Sequence, residues 1–290
     1  MAIWTDGYWW SNDGLRLHYR DYVDPATAEN GRPPIICLPG LTRNARDFAE
    51  VAERLAGEWR VICPEMRGRG ESAYAKDSLT YVPLTYVQDV SALIAELKLE
   101  RVILFGTSLG GIMTMVLAAM RSVPIAGALL NDVGPDLGAA GLARIKSYVG
   151  KQANWPTWVH AARAIAVNNA HAFPDYDLEE WLAMAKRLCR LTRAGRIEFD
   201  YDMKIAEPLR LPGGEAGVDL WPAFDALRDI PTTLIRGEIS ELLSEETAAQ
   251  MVERHPELDL VTVPRVGHAP VLTEPQSIAA IDRLLARIEA

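Results

Sequence analysis

The hydrophobic and polar positions of the chain alternate between short apolar runs and longer amphipathic segments. The apolar runs lie at residues 35–38, 60–63, 102–105 and 125–131. The segments with helical periodicity lie at residues 44–56, 84–97 and 112–120. Buried strands that alternate with helices are typical of parallel sheets. The pattern therefore predicts an α/β fold with a mostly parallel central sheet and helices on both faces, and the turn signal Asn12-Asp13-Gly14 predicts a β-hairpin before it.

This alternation is interrupted once. Helical periodicity without strands extends over residues 134–222, which include Trp155, Trp158, Trp181 and Trp221. Strands and helices then alternate again, at residues 232–236, 244–254, 258–263 and 275–288. We interpret residues 134–222 as a helical cap inserted into a core domain formed by residues 1–133 and 223–290. Its aromatic side chains either pack the cap or line a pocket beneath it.

Residues 106–111, with the sequence Gly-Thr-Ser-Leu-Gly-Gly, join a β-branched strand to an apolar helix. In this setting Gly-x-Ser-x-Gly is typical of a nucleophile elbow, a turn so tight that the serine adopts a strained conformation and its neighbours must be glycine. The N-terminus of the following helix directs unpaired N–H groups toward the same place. We therefore predict that Ser108 is a nucleophile rather than a polar residue of an ordinary turn.

A candidate general base follows much later in the chain. Of the five histidines, only His268 lies in a loop directly after a late predicted strand, between Gly267 and Pro270. The alternative is an ordinary histidine that is hydrogen-bonded within its loop. The order of serine and histidine, together with the strand, loop and helix setting, favours a catalytic role.

These motifs resemble those of the α/β-hydrolase superfamily, and the resemblance covers nearly the whole chain. Residues 38–41, Leu-Pro-Gly-Leu, are similar to the family's oxyanion loop, although Pro39 replaces a histidine found in many members. Residues 64–72 are similar to its Asp-x-Arg-Gly-x-Gly-x-Ser segment, with Glu65 as the acidic residue. The resemblance implies an oxyanion hole formed by the backbone N–H groups of Leu41 and Leu109, and no metal or organic cofactor.

The acid of the triad has several candidates. The family usually places it after the strand predicted at residues 232–236, where Ser240 occupies the usual Asp spacing. A carboxylate at Glu241 would need a loop one residue longer, and Glu238 lies in the same loop. Asp132 ends the preceding core strand, a location that some members use. We expect Glu241 to be the acid, with Asp132 and Glu238 as alternatives.

Three functions are compatible with this site. The first is hydrolysis of an ester, lactone or thioester through an acyl-enzyme on Ser108. The second is hydrolysis of a carbon–carbon bond in a ring-cleavage product. The third is a non-catalytic small-molecule receptor on the same fold. A serine at the elbow argues against dehalogenase and epoxide hydrolase chemistry, which uses an aspartate there. Arg43, two residues beyond Leu41, either contacts an anionic substrate or is a solvated surface residue.

Composition restricts the partners. A net charge of −9 and a pI near 5.2 argue against nucleic acid and anionic membranes, which require a basic face. The sequence shows no targeting segment and no apolar run long enough to span a bilayer. The three cysteines are scattered, which is typical of reduced thiols. We therefore expect a cytoplasmic monomer or homodimer that acts on a small molecule.

Overall fold

The computed structural model describes residues 4–23, 30–210 and 219–289 of the chain. The strands in chain order are β1 (Thr5–Trp10), β2 (Arg16–Tyr22), β3 (Ile35–Leu38), β4 (Val61–Glu65), β5 (Val102–Thr107), β6 (Ile125–Asn131), β7 (Asn154–Trp155), β8 (Cys189–Leu191), β9 (Ile197–Phe199), β10 (Thr232–Gly237) and β11 (Asp259–Val263). The α-helices are α1 (Ala49–Leu55), α2 (Pro83–Glu96), α3 (Leu109–Met120), α4 (Ala139–Tyr148), α5 (Trp158–Asn169), α6 (Leu178–Leu188), α7 (Trp221–Asp225), α8 (Glu245–Arg254) and α9 (Pro275–Glu289).

The central sheet has eight strands in the order β1-β2-β4-β3-β5-β6-β10-β11. The predicted hairpin of β1 and β2 is antiparallel, and β2 joins β4 in the same sense. From β4 to β11 all neighbouring strands are parallel. The strand that follows β3, β4, lies on one side of it, and β5 lies on the other side. The direction in which the chain adds strands therefore reverses between β3 and β5. Open parallel sheets bind ligands at such a reversal, beyond the carboxyl ends of the strands.

Helices cover both faces of this sheet, as predicted. On one face α2 and α3 pack through Val90 and Leu117 against Leu104 of β5. On the other face α1 and α9 pack through Leu55 and Leu284. The strands β3 and β4 are buried along their whole length, which explains why their sequences are continuously apolar up to Cys63. Within the described ranges, no helix has the length and apolar character needed to cross a bilayer.

The segment between β6 and β10 differs from the expectation of a strand-free cap. It contains α4, α5 and α6, but also a three-stranded antiparallel sheet in the order β7-β9-β8. These strands are only two or three residues long, too short for an alternating pattern to be visible in the sequence. We call residues 134–222 the insertion.

The tryptophans of the insertion occupy different environments. Trp181 is buried against Phe173 and Tyr176 in a small core between α5 and α6. Trp221 instead packs against Phe224, in a cluster with residues of the central sheet, α3 and α8. Trp181 and Trp221 therefore serve packing rather than ligand contact.

Candidate active site

Ser108 lies in the tight turn between β5 and α3. Its backbone has φ 53° and ψ −115°, a strained conformation for a residue with a side chain, and such strain is common at functional sites. The flanking glycines are sterically required. A Cβ on Gly110 would collide with the carbonyl oxygen of Leu38, and one on Gly106 would collide with the backbone of Gly110. The turn exposes the Ser108 side chain to a cavity beyond the carboxyl end of β5.

His268 connects Ser108 to a carboxylate. The loop after β11 places His268 Nε2 2.9 Å from Ser108 Oγ. The other ring nitrogen, Nδ1, lies 2.8 Å from Oδ2 of Asp132. A proton on Nδ1 leaves Nε2 free to accept the proton of the serine hydroxyl. The three side chains therefore form a hydrogen-bonded series in the order required for general-base activation of a serine.

Asp132 is held in a fixed orientation. It follows β6 directly, has φ 55° and is fully buried. Oδ1 accepts a hydrogen bond from the backbone N–H of Gly237 at 2.9 Å, and Oδ2 accepts one from the Ser240 hydroxyl at 2.6 Å in addition to the histidine. These donors satisfy both oxygens, which is how a buried carboxylate avoids a large desolvation penalty.

Glu241 does not contact His268, so the expectation that it does is wrong. Its carboxylate forms a bidentate pair with Arg144, with Nε at 2.6 Å and Nη2 at 2.9 Å, and its side chain is 40% exposed. The arginine lowers the pKa of this carboxyl group. Glu241 points away from His268 because the turn after β10 is short, with the Ser240 N–H donating to the carbonyl of Gly237. This turn directs Ser240 toward the site and the next residue outward.

Glu238 is also directed away from the imidazole. Its carboxylate accepts a hydrogen bond from the backbone N–H of Arg265 at 2.7 Å, on an exposed part of the surface. Of the three acids considered from the sequence, the structure thus brings only Asp132 to His268.

The loop after β3 lies beside Ser108. A Cβ on Gly40 would be 3.8 Å from that of Ser108, and Leu41 lines the cavity. Leu109 directly follows the serine as the first residue of α3, so its N–H has no acceptor within the helix. The two residues predicted to form the oxyanion hole therefore both flank the nucleophile.

Arg69 fixes this loop, a role that the sequence analysis missed. It is fully buried and donates two hydrogen bonds to the carbonyl oxygen of Leu41, from Nε at 2.9 Å and Nη2 at 2.6 Å. Nη1 donates to the carbonyl of Arg67 at 2.6 Å, and the guanidinium lies 4.6 Å from the ring centroid of Tyr86. The available signal was the position of this arginine within segment 64–72, which resembles the Asp-x-Arg-Gly-x-Gly-x-Ser segment and follows a buried strand.

Glu65, in the same segment, holds a second buried network. Its carboxylate accepts hydrogen bonds from the backbone of Ala45 and Glu71 and lies 2.9 Å from His18 Nδ1. His18 Nε2 lies 3.0 Å from Asp6. Burial alone would lower the pKa of His18, but the two carboxylates outweigh it and raise that pKa above its ordinary value. This network connects β2 to β4 and to the 3-10 turn Ala45–Phe48 that precedes α1.

A cavity of about 350 Å³ lies between the loops of the core and the insertion. Its floor includes Ser108 and His268, and α4, α5 and α6 contribute to its wall. Of the four tryptophans in the insertion, Trp155 lines it. Arg43 also lines it, with Nε 2.5 Å from Asp47 Oδ2, so this arginine is not a solvated surface residue.

Comparisons with known proteins agree with this architecture. A sequence profile described as the alpha/beta hydrolase family matches residues 35–281. A 3-hydroxybutyrate-oligomer hydrolase from Cupriavidus necator is 37% identical over 273 residues, 91% of this chain and 90% of that protein. A 2-(acetamidomethylene)succinate hydrolase from Mesorhizobium japonicum is 25% identical over 243 residues, 83% of each protein. The crystal structure of an alpha/beta hydrolase from Novosphingobium aromaticivorans matches with a TM-score of 0.94 and 56% identity over 99% of both chains.

The family profile covers both the elbow and His268, and the full-length similarity extends to the insertion. The chain is therefore a hydrolase that belongs to the alpha/beta hydrolase family.

Proposed function

We propose that the protein hydrolyses carboxylic esters, with Ser108 as the nucleophile, His268 as the general base and Asp132 as the residue that orients the histidine. The observation that carries this proposal is the hydrogen-bonded series from Ser108 Oγ through both ring nitrogens to Asp132 Oδ2. The strained elbow supports it, because strain of this kind is retained where it positions a reacting atom.

In the proposed mechanism, His268 Nε2 accepts the hydroxyl proton as Ser108 Oγ attacks the ester carbonyl carbon. The backbone N–H groups of Leu41 and Leu109 stabilise the oxyanion of the tetrahedral intermediate. The ester C–O bond then breaks, the departing alkoxide takes the proton from Nε2, and the acyl group remains on the serine. Water, deprotonated by the same histidine, releases the acid and restores the enzyme.

The cavity and the relatives support a small linear ester as the substrate. A volume of about 350 Å³ falls within the range of small-molecule sites. The relative from C. necator, which aligns over 91% of this chain, is a 3-hydroxybutyrate-oligomer hydrolase. We therefore propose short esters of hydroxy acids as the substrate class and the insertion as the cap over the bound ester.

Two measurements test the function. Treatment with a fluorophosphonate, followed by intact-mass analysis, should give one adduct that is lost in Ser108→Ala. Ser147 provides the matched control, because it also lines the cavity but donates its hydrogen bond to the carbonyl of Arg144. Labelling should therefore persist in Ser147→Ala, and labelling that persists in Ser108→Ala contradicts the proposal.

A substrate panel then separates the candidate activities. Purified protein is incubated with the 3-hydroxybutyrate dimer, p-nitrophenyl esters of graded chain length, lactones and a vinylogous diketone acid. Ester hydrolysis is expected. Turnover of the diketone acid alone would indicate carbon–carbon bond hydrolysis, and saturable binding without turnover of any compound would indicate a receptor.

A further inference from the structure

Part of the cavity wall is cationic although the protein is acidic. Among the described residues that line the cavity, Arg43, Lys151 and Arg187 are cations and Asp47 is the single carboxylate. The chain as a whole has a net charge of −9. This local reversal of charge favours a ligand that carries a negative charge.

Arg187 offers a donor without an acceptor. It lies in the last turn of α6, and its Nε is buried without a hydrogen-bond partner in the part of the chain that the structure describes. Its Nη1 lies 3.4 Å from the exposed Glu50. Because Nε is buried, a ligand in the cavity would contact this guanidinium through its outer nitrogens, of which Nη2 has no acceptor among the described residues.

Arg43 lies next to Arg187. The side-chain amide of Asn44, the residue after Arg43, donates to the carbonyl oxygen of Arg187 at 3.3 Å. Arg43 uses Nε to bind Asp47, and within the described ranges its two terminal nitrogens have no protein acceptor. Burial dominates and raises the pKa of the Tyr176 hydroxyl to about 12, while the positive charges of Arg187 and Arg43 oppose that rise. Both guanidinium groups therefore lie near the same hydroxyl.

We propose that Arg43 and Arg187 form a carboxylate subsite that binds the free acid end of the ester substrate. This rests on the proposed ester hydrolysis and specifies its substrate as an ester that carries a carboxylate. The carboxylate oxygens accept hydrogen bonds from Nη2 of Arg187 and from the terminal nitrogens of Arg43, and charge-assisted bonds of this type are the strong ones.

The subsite also defines which end of an oligomer is released. In a linear dimer of a hydroxy acid, the carboxylate belongs to the unit whose hydroxyl oxygen is the leaving group. Attack by Ser108 breaks the internal C–O bond, and the leaving oxygen takes its proton from His268. One hydroxy acid departs with its carboxylate intact, and the other remains as the acyl group on the serine. The enzyme therefore removes units from the carboxyl end.

The experiment compares the 3-hydroxybutyrate dimer with its terminal carboxamide, which keeps the internal ester and the size but lacks the charge. Cleavage of the internal ester is followed by chromatography. Wild-type protein should have the higher kcat/KM for the acid. In Arg187→Gln and in Arg43→Gln the ratio of acid to amide should fall by about 10- to 100-fold, the worth of a hydrogen bond to a charged group. The control is Arg190→Gln, because Arg190 pairs with Glu198 outside the cavity, and it should keep the wild-type ratio.

The outcomes separate the subsite from the function. Equal cleavage of acid and amide by the wild type overturns the subsite but leaves ester hydrolysis intact. If neither compound is cleaved, ester hydrolysis fails, and binding alone decides the subsite. For that purpose, calorimetry with Ser108→Ala should give tighter binding of the acid than of the amide. Adding Arg187→Gln should remove the difference, and equal affinities in Ser108→Ala alone overturn the subsite.

Discussion

Replacing Asp132 by asparagine removes the carboxylate while preserving the shape of the side chain. The Gly237 N–H donates to Oδ1 of the carboxylate. If the asparagine keeps its oxygen there, its NH₂ group faces His268, which must then present an unprotonated Nδ1. The proton moves to Nε2, and the histidine no longer accepts the proton of Ser108. The wrong tautomer costs about 10⁴ in kcat, or about 5 kcal/mol in activation free energy.

The amide can also flip. Its oxygen then accepts the histidine Nδ1–H, but its NH₂ group opposes the buried Gly237 N–H, which leaves two donors without an acceptor. Such a loss costs about 1 to 3 kcal/mol, which corresponds to about 5- to 150-fold. The flipped form also lacks the negative charge that stabilises the imidazolium. We therefore expect kcat of Asp132→Asn to fall by between about 10² and 10⁴, depending on which orientation the amide adopts.

The assay is steady-state hydrolysis of a p-nitrophenyl ester, with thermal unfolding as the check on folding. Glu241→Gln is the matched control, because its carboxylate forms an exposed pair with Arg144. Exposed pairs contribute at most about 1 kcal/mol to stability, and this one does not reach the imidazole, so kcat should change by less than about twofold. A folded Asp132→Asn variant with kcat within threefold of wild type, or a severe loss in Glu241→Gln, would refute the reasoning.

Three further predictions follow from the same geometry. Adding Ser240→Asp to Asp132→Asn should raise kcat at least tenfold, because the Ser240 hydroxyl lies 2.6 Å from Oδ2 of Asp132 and a carboxylate there could replace the lost one. No gain in a folded double variant would contradict this. Arg69→Lys should lower kcat by about 10-fold, with a smaller change in KM. The reason is that an ammonium group cannot reproduce the planar set of hydrogen bonds by which Arg69 holds the loop of Leu41. Unchanged kinetics would argue against a positioning role. The raised pKa of His18 contributes stability that is fully present below its unfolded value, about 6.5, and is lost as pH rises through the folded value. Thermal unfolding should therefore show a larger decrease of Tm above neutral pH in wild type than in His18→Gln, and identical slopes would contradict it.

Local patterns were sufficient to predict two residues that the structure brings together in the candidate site, Ser108 and His268. Ser108 lies in a motif whose strand, turn and helix are consecutive in the sequence, and His268 follows its strand directly. The central sheet was predicted for the same reason, because strands β3 to β6 each contain a continuous apolar run.

The acid could not be chosen in this way. Asp132 and Glu241 both follow core strands, and which one reaches the imidazole depends on the packing of β6 beside β10 and on the turn after β10. The informative residue was Ser240, which stands at the usual spacing of the acid and donates a hydrogen bond to Asp132, the carboxylate that contacts His268. Arg69 was missed because its acceptor, the Leu41 carbonyl, is 28 positions away.

Glu241 is remote from His268, but it connects the loop after β10 to the insertion. Its carboxylate binds Arg144, and its carbonyl oxygen accepts from the N–H of Gly141 at 3.2 Å, so the first turns of α4 are tied to the loop after β10. The insertion begins two residues after Asp132, so these bonds fix its first helix beside the loop that carries Ser240. A displacement of α5 or α6 that keeps these bonds would therefore have its pivot beyond Arg144.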